Sequence, residues 1–395
     1  MASTMVADLR RAESVLGPQS SWPDSWAFAV RTCLDSALPM TVALGAELHT
    51  IYNRAYLDIV AAKHPAAFGR PLLEIWAEVA AELRPLLTSV LDSGTSTAYE
   101  DREFLLERRG FLEETFFTFG FSPVREADGR ITAVLNQVVE TTAAVLARRR
   151  LDTISRLALI GRRTTDSAGH VGAAIDALRS NDRDLPLVVL FNTGRAGKRR
   201  PELIAHSRVR DGLDALVAAL SDPRSRLRAS LSAATDGPVL LDGLSHTAPG
   251  LCGGAWPEPI DTAMAFRLPA RRNDAPNLLL LGVSPRLELD RDYRDFLTMV
   301  ADQLVLDLQL VGAATAERDR ASNLELALET SRHIGAAIGV LMSSRRLTET
   351  QAFDLLRDTS QNSHRKLRDI ADYVVETGTI PAFGAAPPTG RNQTA

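Results

Sequence analysis

Three basic side chains lie close together near the C-terminus, and their spacing suits the binding of phosphate groups. Arg365, Lys366 and Arg368 fall in the first turns of a helix that the apolar pattern predicts over residues 363–377. Cations are unfavourable there because the helix dipole is positive at its N-terminus, and pairing of Asp369 with Arg365 relieves only part of the conflict. Free amides and cationic side chains converge at such an end, which predicts a phosphate site. A solvated charged face is the alternative that charge alone leaves open.

Two predicted helices precede the basic one and complete a small bundle. The first is expected to end near Ser343. Thr348 and Gln351 form a capping box that opens the second, because a threonine oxygen and a glutamine three residues later satisfy free amides reciprocally. Gly378 is a stop signal for the third helix. The side chains predicted to face inward are Ala352, Phe353 and Leu356 in the second helix and Leu367, Ile370, Ala371, Val374 and Val375 in the third.

Apolar residues at helical spacing from Arg291 to Met342 predict one long helix that leads into this bundle. We interpret it as partly coiled coil and as the place for homodimer contacts, because a bundle this small has little core of its own. Two separate helices, divided at the polar stretch 315–323, are the alternative. Residues 380–395 contain three prolines and predict a disordered tail.

The first 310 residues contain two successive regions that mix strands and helices. In the first region two strands are followed by helices and then by three strands, with a hairpin signal at Ala127–Arg130. The predicted strands of this region are 41–44, 49–52, 97–106, 112–122 and 131–140. In the second region a helical segment at 154–179 precedes strand patterns at 187–191, 239–241, 263–268 and 278–283.

The composition is that of a globular protein in a reducing compartment. The chain of 395 residues is 45% hydrophobic and 24% charged, which allows ordinary cores. Its formal net charge of -4 gives no general attraction to nucleic acid, so such binding needs a local patch. Cys33 and Cys252 lie far apart, which argues against a disulfide framework or a zinc site. Because neither a signal peptide nor an apolar run of membrane-spanning length is evident, we expect a cytoplasmic protein without membrane contact.

Several segments resemble known families of bacterial regulators. Residues 47–76, 113–142 and 148–158 resemble the PAS domains that precede GAF domains in sensor proteins, and 278–309 resembles the last strand and closing helix of a GAF domain. The C-terminal segment resembles an ANTAR domain in Ser331-Arg332, Ile334, Ala337, Gly339, Leu341-Met342, Ala352-Phe353, Leu356-Arg357, Ser360 and Lys366–Ala371. The resemblance implies a multidomain α+β protein: a PAS sensor domain at 20–145, a GAF sensor domain at 150–312, an ANTAR three-helix bundle with its preceding coiled-coil helix at 313–379, and a disordered tail.

An ANTAR domain implies dimerisation through the preceding coiled coil and binding of paired hairpins in nascent leader RNA, which prevents formation of a terminator hairpin. The resemblance and the charge pattern together give these candidate RNA-binding residues: Arg332, Gly339, Arg357, Ser360, His364, Arg365, Lys366 and Arg368. Gly339 destabilises a helix relative to alanine, which indicates close approach of either RNA or the second helix. Arg332 and Arg357 are either phosphate contacts or solvated charges.

Two positions depart from the ANTAR pattern. Ile338 stands where many members carry lysine, which removes a phosphate contact. His364 stands where asparagine is usual; histidine stacks on a base or donates one hydrogen bond, whereas asparagine can make a two-point bond to adenine. A packing role for His364 is the alternative.

The sensor regions contain no catalytic constellation, phosphate-binding glycine loop or paired-histidine metal motif. The PAS-like region lacks the cysteine motif of LOV-type flavin photoreceptors, and no kinase ATP-binding module or receiver domain follows. We therefore predict a non-enzymatic regulator with no cofactor, whose input is a small molecule or a partner protein. Two alternatives are a ligand-sensing adaptor that acts through protein contacts of its helical C-terminus, and a ligand-dependent DNA binder.

Overall fold

The structure is a computed structural model that describes residues 2–160, 167–192, 202–207, 209–233, 237–268 and 277–381. The chain divides into two compact units, with the boundary in a long helix between Leu308 and Gln309. The predicted disordered tail lies almost entirely outside the described residues. Among those residues, no helix has the length and hydropathy to cross a lipid bilayer.

The first domain is built on an antiparallel sheet with the strand order β2-β1-β5-β4-β3. Its strands are β1 (Met40–Leu44), β2 (His49–Tyr52), β3 (Thr97–Glu107), β4 (Leu112–Arg125) and β5 (Ile131–Glu140), and its helices are α1 (Ala2–Leu16), α2 (Asp24–Asp35), α3 (Leu57–Val60), α4 (Leu72–Ile75) and α5 (Ala80–Ser93). The predicted element order and the hairpin before β5 are confirmed; Gly129 has a φ of 86° in that turn, which glycine adopts without strain. Cys33 is fully buried in this core, and burial raises the pKa of its thiol to about 12, so the thiol stays protonated.

The second domain has a sheet of the order β7-β6-β12-β11-β9 and a small pair β10-β8. Its elements are α6 (Thr142–Ile160), α7 (Ser167–Arg179), β6 (Val188–Asn192), β7 (Glu202–His206), β8 (Val209–Asp211), α8 (Leu213–Ser221), α9 (Arg226–Ala233), β9 (Val239–Leu241), α10 (Leu244–Thr247), β10 (Cys252–Gly253), β11 (Ala263–Leu268) and β12 (Asn277–Gly282). Helices cover both faces of the large sheet, and this explains the continuous leucine run of β12. Leu279 and Leu281 pack into one core, while Leu278 and Leu280 pack into the other.

One helix, α11 (Arg291–Arg345), runs for 55 residues, so the single-helix prediction is confirmed and the two-helix alternative is wrong. The helices α12 (Glu349–Ser363) and α13 (Leu367–Thr377) follow it. The capping box is confirmed: the Gln351 amide donates to Thr348 Oγ1, and Gln351 Oε1 accepts from the Thr348 amide at 3.0 Å. Gly378 ends α13 in the left-handed conformation, as predicted.

Candidate nucleic-acid interface

The C-terminal helices pack around a small apolar core, which fixes the side chains that remain exposed. Its buried members are Ala337 and Leu341 from α11, Ala352 and Leu356 from α12, and Ile370, Ala371 and Val374 from α13. Phe353 and Val375 were predicted to face inward, but they are 38% and 45% exposed. Both lie at the edge of an apolar stripe, where a helix presents part of each side chain to solvent.

The turn between α12 and α13 corrects the predicted start of the third helix. The helix begins at Leu367 and not near residue 363, because His364 adopts a left-handed conformation with a φ of 52° and ends α12. The Ser360 hydroxyl donates to the Arg365 carbonyl oxygen at 2.6 Å, and the Arg365 amide donates to the Ser360 carbonyl oxygen at 3.2 Å. Arg365 therefore lies in the turn, and the helical i,i+4 pairing with Asp369 does not arise.

Lys366 occupies the N-cap position of α13, and its side chain is exposed. No side chain caps this helix end, whereas the Thr348 hydroxyl caps α12. The first amides of a helix need an acceptor from outside the helix, and an anion supplies one. The structure thus brings Lys366 to an open helix N-terminus, although the three basic residues do not share the first turns as predicted.

Two of the candidate arginines are already paired with carboxylates. Arg357 lies 2.8 Å from Asp354 and 3.7 Å from Asp358 on its own helix. Arg368 lies 3.5 Å from Glu329 on α11 and 3.8 Å from Asp372 on α13. Their charges are offset locally, so they attract phosphate less strongly than an unpaired cation does.

A histidine that sequence reasoning missed completes the cluster around Arg368. His333 on α11 places Nδ1 2.5 Å from Oδ1 of Asp372 on α13. The Asp372 carboxylate therefore contacts both His333 and Arg368. This polar cluster joins α11 and α13 beside their apolar core. No sequence signal identifies this pair, because its members lie 39 positions apart.

One face of α11 is open around its glycines. A Cβ atom on Gly335 or Gly339 would find no atom within 4 Å outside its own stretch of helix, so α12 is not what approaches Gly339. Arg332 is exposed one turn before Gly335. Ile338 packs against the bundle core, which gives its departure from lysine a structural reason.

Arg345 and Arg346 are two further basic residues that the list of candidates did not include. Both are exposed, and neither has a carboxylate within 4 Å among the described residues. They lie at the C-terminal end of α11, where the helix dipole favours cations. Their adjacency at a predicted helix end is the sequence signal that could have identified them.

A protein-family model decides which module these helices form. The model described as the ANTAR domain matches residues 322–375, which span the end of α11 and nearly all of α12 and α13. Residues 322–375 are an ANTAR domain. The predicted ANTAR domain is confirmed, and two domains built on antiparallel sheets precede it. An ANTAR domain implies an RNA-binding regulator of antitermination.

Comparison with solved structures returned partial similarities to sensor domains. The PAS domain of BvgS from Bordetella pertussis is 20% identical, with 32% of this chain and 93% of that chain covered and a TM-score of 0.26. The GAF domain of an Acinetobacter phosphoenolpyruvate-protein phosphotransferase is 13% identical, with coverage of 42% and 94% and a TM-score of 0.26. An RNA-binding Light-Oxygen-Voltage receptor is 20% identical, with coverage of 32% and 36% and a TM-score of 0.24. No curated protein matched the chain.

The ANTAR domain is electrically balanced as a whole. Residues 322–375 contain seven lysines and arginines and seven aspartates and glutamates. RNA therefore meets no uniformly basic surface, and any attraction must come from the cations without local partners. In the described part of the domain these are Arg332, Arg345, Arg346, Arg365 and Lys366.

The PAS-like domain contains an apolar cavity with a single amide in its lining. The cavity is about 50 Å³ and is bounded by Tyr56, Ile59, Leu72, Trp76, Val79, Leu83, Phe104, Leu106, Phe117, Phe119, Phe121, Asn136 and Val138. Asn136 is 8% exposed, and its Oδ1 atom has no hydrogen-bond partner among the described residues. A buried acceptor of this kind is costly unless a donor reaches it.

Proposed function

We propose that this chain is a signal-responsive regulator that binds paired hairpins in nascent leader RNA and thereby controls transcription termination. The observation that carries the proposal is the ANTAR domain, whose α13 has an open N-terminus beside the unpaired Lys366. Phosphate contacts at this end would set the position of the RNA, and His364 in the adjoining turn would contact an unstacked loop base. Arg332, Gly339, Arg345, Arg346 and Arg365 extend the proposed surface, while the paired Arg357 and Arg368 contribute less; Ser360 acts by holding the turn.

Dimerisation would let two weak contacts act together. Leu324 and Leu328 lie one turn apart on α11, and they are 62% and 55% exposed. A second copy of the helix would cover them, as leucines are covered in a coiled coil. Two linked ANTAR modules then bind two hairpins with an effective concentration that a single module lacks.

The input would enter through the sensor domains. The apolar cavity and the Asn136 acceptor suit a small, mostly apolar molecule with one hydrogen-bond donor. Such a ligand would bind without a metal or a redox cofactor. A partner protein at either sensor domain is the other form of input that the proposal allows.

The test is an electrophoretic mobility shift with the full chain and a leader RNA that carries two tandem hairpins. We expect tight binding to the tandem RNA, weaker binding to a single hairpin, and loss of binding in Arg365→Ala/Lys366→Ala. Arg320→Ala is the matched control, because Arg320 is an exposed arginine of α11 outside the ANTAR domain. Equal binding by the double variant and the wild type would contradict the proposed surface.

The dimer step has its own test. Leu324→Lys/Leu328→Lys should lower the mass measured by light scattering and abolish the preference for tandem over single hairpins. Leu326→Lys is the control, since Leu326 is also 50% exposed but lies on a different face, beside Phe353. An unchanged mass in the double variant would remove this helix face as the dimer contact.

One observation favours the adaptor as a second candidate function. A partly apolar groove on the ANTAR domain is lined by Leu326, Thr330, Ser331, Ile334 and Phe353. Leu326 and Phe353 are 50% and 38% exposed in it. Exposed apolar grooves mark protein contacts. Phe353→Ser should abolish partner binding and preserve RNA binding if the adaptor reading holds, so the two functions are separable.

A further inference from the structure

A network of buried charges joins the PAS-like sheet, the connecting helix α6 and the loop 180–187 of the second domain. The Glu114 side chain on β4 is fully buried, and Arg149 on α6 donates to its two oxygens at 2.7 and 2.9 Å. Arg183 in the loop donates to the same carboxylate at 2.6 Å. Arg149 also contacts the buried carboxylate of Asp184. Bidentate pairs of this kind fix orientation as well as distance.

The same network reaches the first turns of α11. Arg150 Nε donates to Asp184 at 3.0 Å. Its guanidinium lies 4.4 Å from the ring centre of Tyr293 and 5.6 Å from that of Phe296. The Tyr293 hydroxyl donates to the Asp184 carbonyl oxygen. A continuous series of contacts therefore links β4 to the beginning of the helix that continues to the ANTAR domain.

Strand β4 has a different neighbour on each face. Phe117, Phe119 and Phe121 line the apolar cavity, whereas Glu114 belongs to the charge network. Successive side chains of a strand point to opposite faces, so a shift of β4 that is caused at the cavity moves the network side as well.

The network is sensitive to the loss of any member. Burial raises the pKa of the Glu114 carboxyl, but Arg149 and Arg183 outweigh this and hold the pKa below its ordinary value. Glu114 is therefore ionised at neutral pH. A buried charge that loses its partner is strongly disfavoured, so displacement of one group forces the others to rearrange.

We propose that Glu114, Arg149 and Asp184 couple β4 to the first turns of α11, so that a displacement of the PAS-like sheet changes how the output helix is held. The regulatory meaning of this coupling rests on the proposed function. The coupling itself needs no RNA, so an experiment can reject the coupling without rejecting the proposed function, and the reverse.

Hydrogen exchange of the full chain tests the coupling. Glu114→Gln should speed exchange in residues 291–304 by about tenfold or more, although the substitution lies in another domain. Asp152→Asn is the matched control, because it breaks an exposed pair with Arg156 at 2.8 Å on the same connecting helix. Coupling is reciprocal, so Asp184→Asn should speed exchange in residues 112–118.

Each of the two variants has a result that would overturn the proposed coupling. Unchanged exchange at 291–304 in a Glu114→Gln protein with native circular dichroism would overturn the proposal. If Glu114→Gln does not fold, unchanged exchange at 112–118 in Asp184→Asn would overturn it instead. Failure of the wild type to bind tandem hairpins, together with the expected exchange changes, would reject the proposed function and leave the coupling established.

Discussion

His333 Nδ1 lies 2.5 Å from Asp372 Oδ1, and this contact joins α11 to α13 at the edge of the ANTAR core. Arg368 reaches the second oxygen of Asp372 at 3.8 Å and Glu329 at 3.5 Å. The residues are partly exposed, so solvent weakens each pair. Asp372 nevertheless contacts His333 on α11 and Arg368 on α13, and it therefore forms a polar connection between the two helices.

Asp372→Asn should loosen α13. The neutral amide weakens the contacts to His333 and Arg368, and we expect a loss of about 1 kcal/mol, which corresponds to roughly fivefold faster exchange of the α13 amides. Hydrogen exchange of the full chain measures this. Glu376→Gln on the same helix is the control, because Glu376 is exposed and has no ion pair in the described region. Equal exchange in the two variants would show that Asp372 does not hold α13.

Local chemistry in the ANTAR domain was predictable, and long-range chemistry was not. The capping box of Thr348 and Gln351 involves residues three positions apart, so the sequence alone identifies it. The predicted start of α13 was wrong because a histidine, His364, adopts the left-handed conformation that ends α12, where glycine is the usual residue. A histidine there gives no clear stop signal.

The sensor domains show the same limit. Local residue patterns located most strands of both large sheets. Strand β3 alternates between more and less exposed residues, whereas β12 is a continuous apolar run. The short strands β8 and β10 carry too few residues for a pattern. Glu114, Arg149 and Asp184 are separated by 35 positions each, and every one of them reads as an ordinary solvated charge until the fold brings them together.

Gly339→Ala should separate stability from binding. Alanine favours a helix interior over glycine by about 0.5–1 kcal/mol, and the space around Gly339 is open, so the ANTAR helices should become more stable. If the RNA backbone approaches here, the added methyl group should weaken tandem-hairpin binding by about tenfold. Hydrogen exchange and a mobility shift on one protein sample measure the two effects. Higher stability with unchanged RNA affinity would remove Gly339 from the interface.

Lys366→Ala should reduce both RNA affinity and its dependence on salt. Each phosphate contact contributes about one unit to the slope of log affinity against log salt, so loss of an unpaired lysine at an open helix end should lower the slope by about 0.7–1. Arg357→Ala should have a smaller effect, because Asp354 and Asp358 already offset that charge. Filter binding across a salt series measures both slopes. A larger change for Arg357→Ala than for Lys366→Ala would reverse our assignment of the contacts.

Acid should weaken the contact between the first and second domains through Glu114. Burial raises the pKa of this carboxyl, but Arg149 and Arg183 lower it by more, so the folded-state pKa lies below the ordinary value of 4.5. The contribution of Glu114 to stability is therefore complete above about pH 4.5 and is lost as the pH falls through the folded-state pKa. Glu114→Gln cannot be protonated in this range, so its unfolding free energy should fall less steeply between pH 5 and pH 3. Chemical unfolding of both proteins at each pH measures the difference, with Asp152→Asn as the control for an exposed carboxylate on α6. Parallel curves for the wild type and Glu114→Gln would mean that the network does not hold Glu114 in its ionised form.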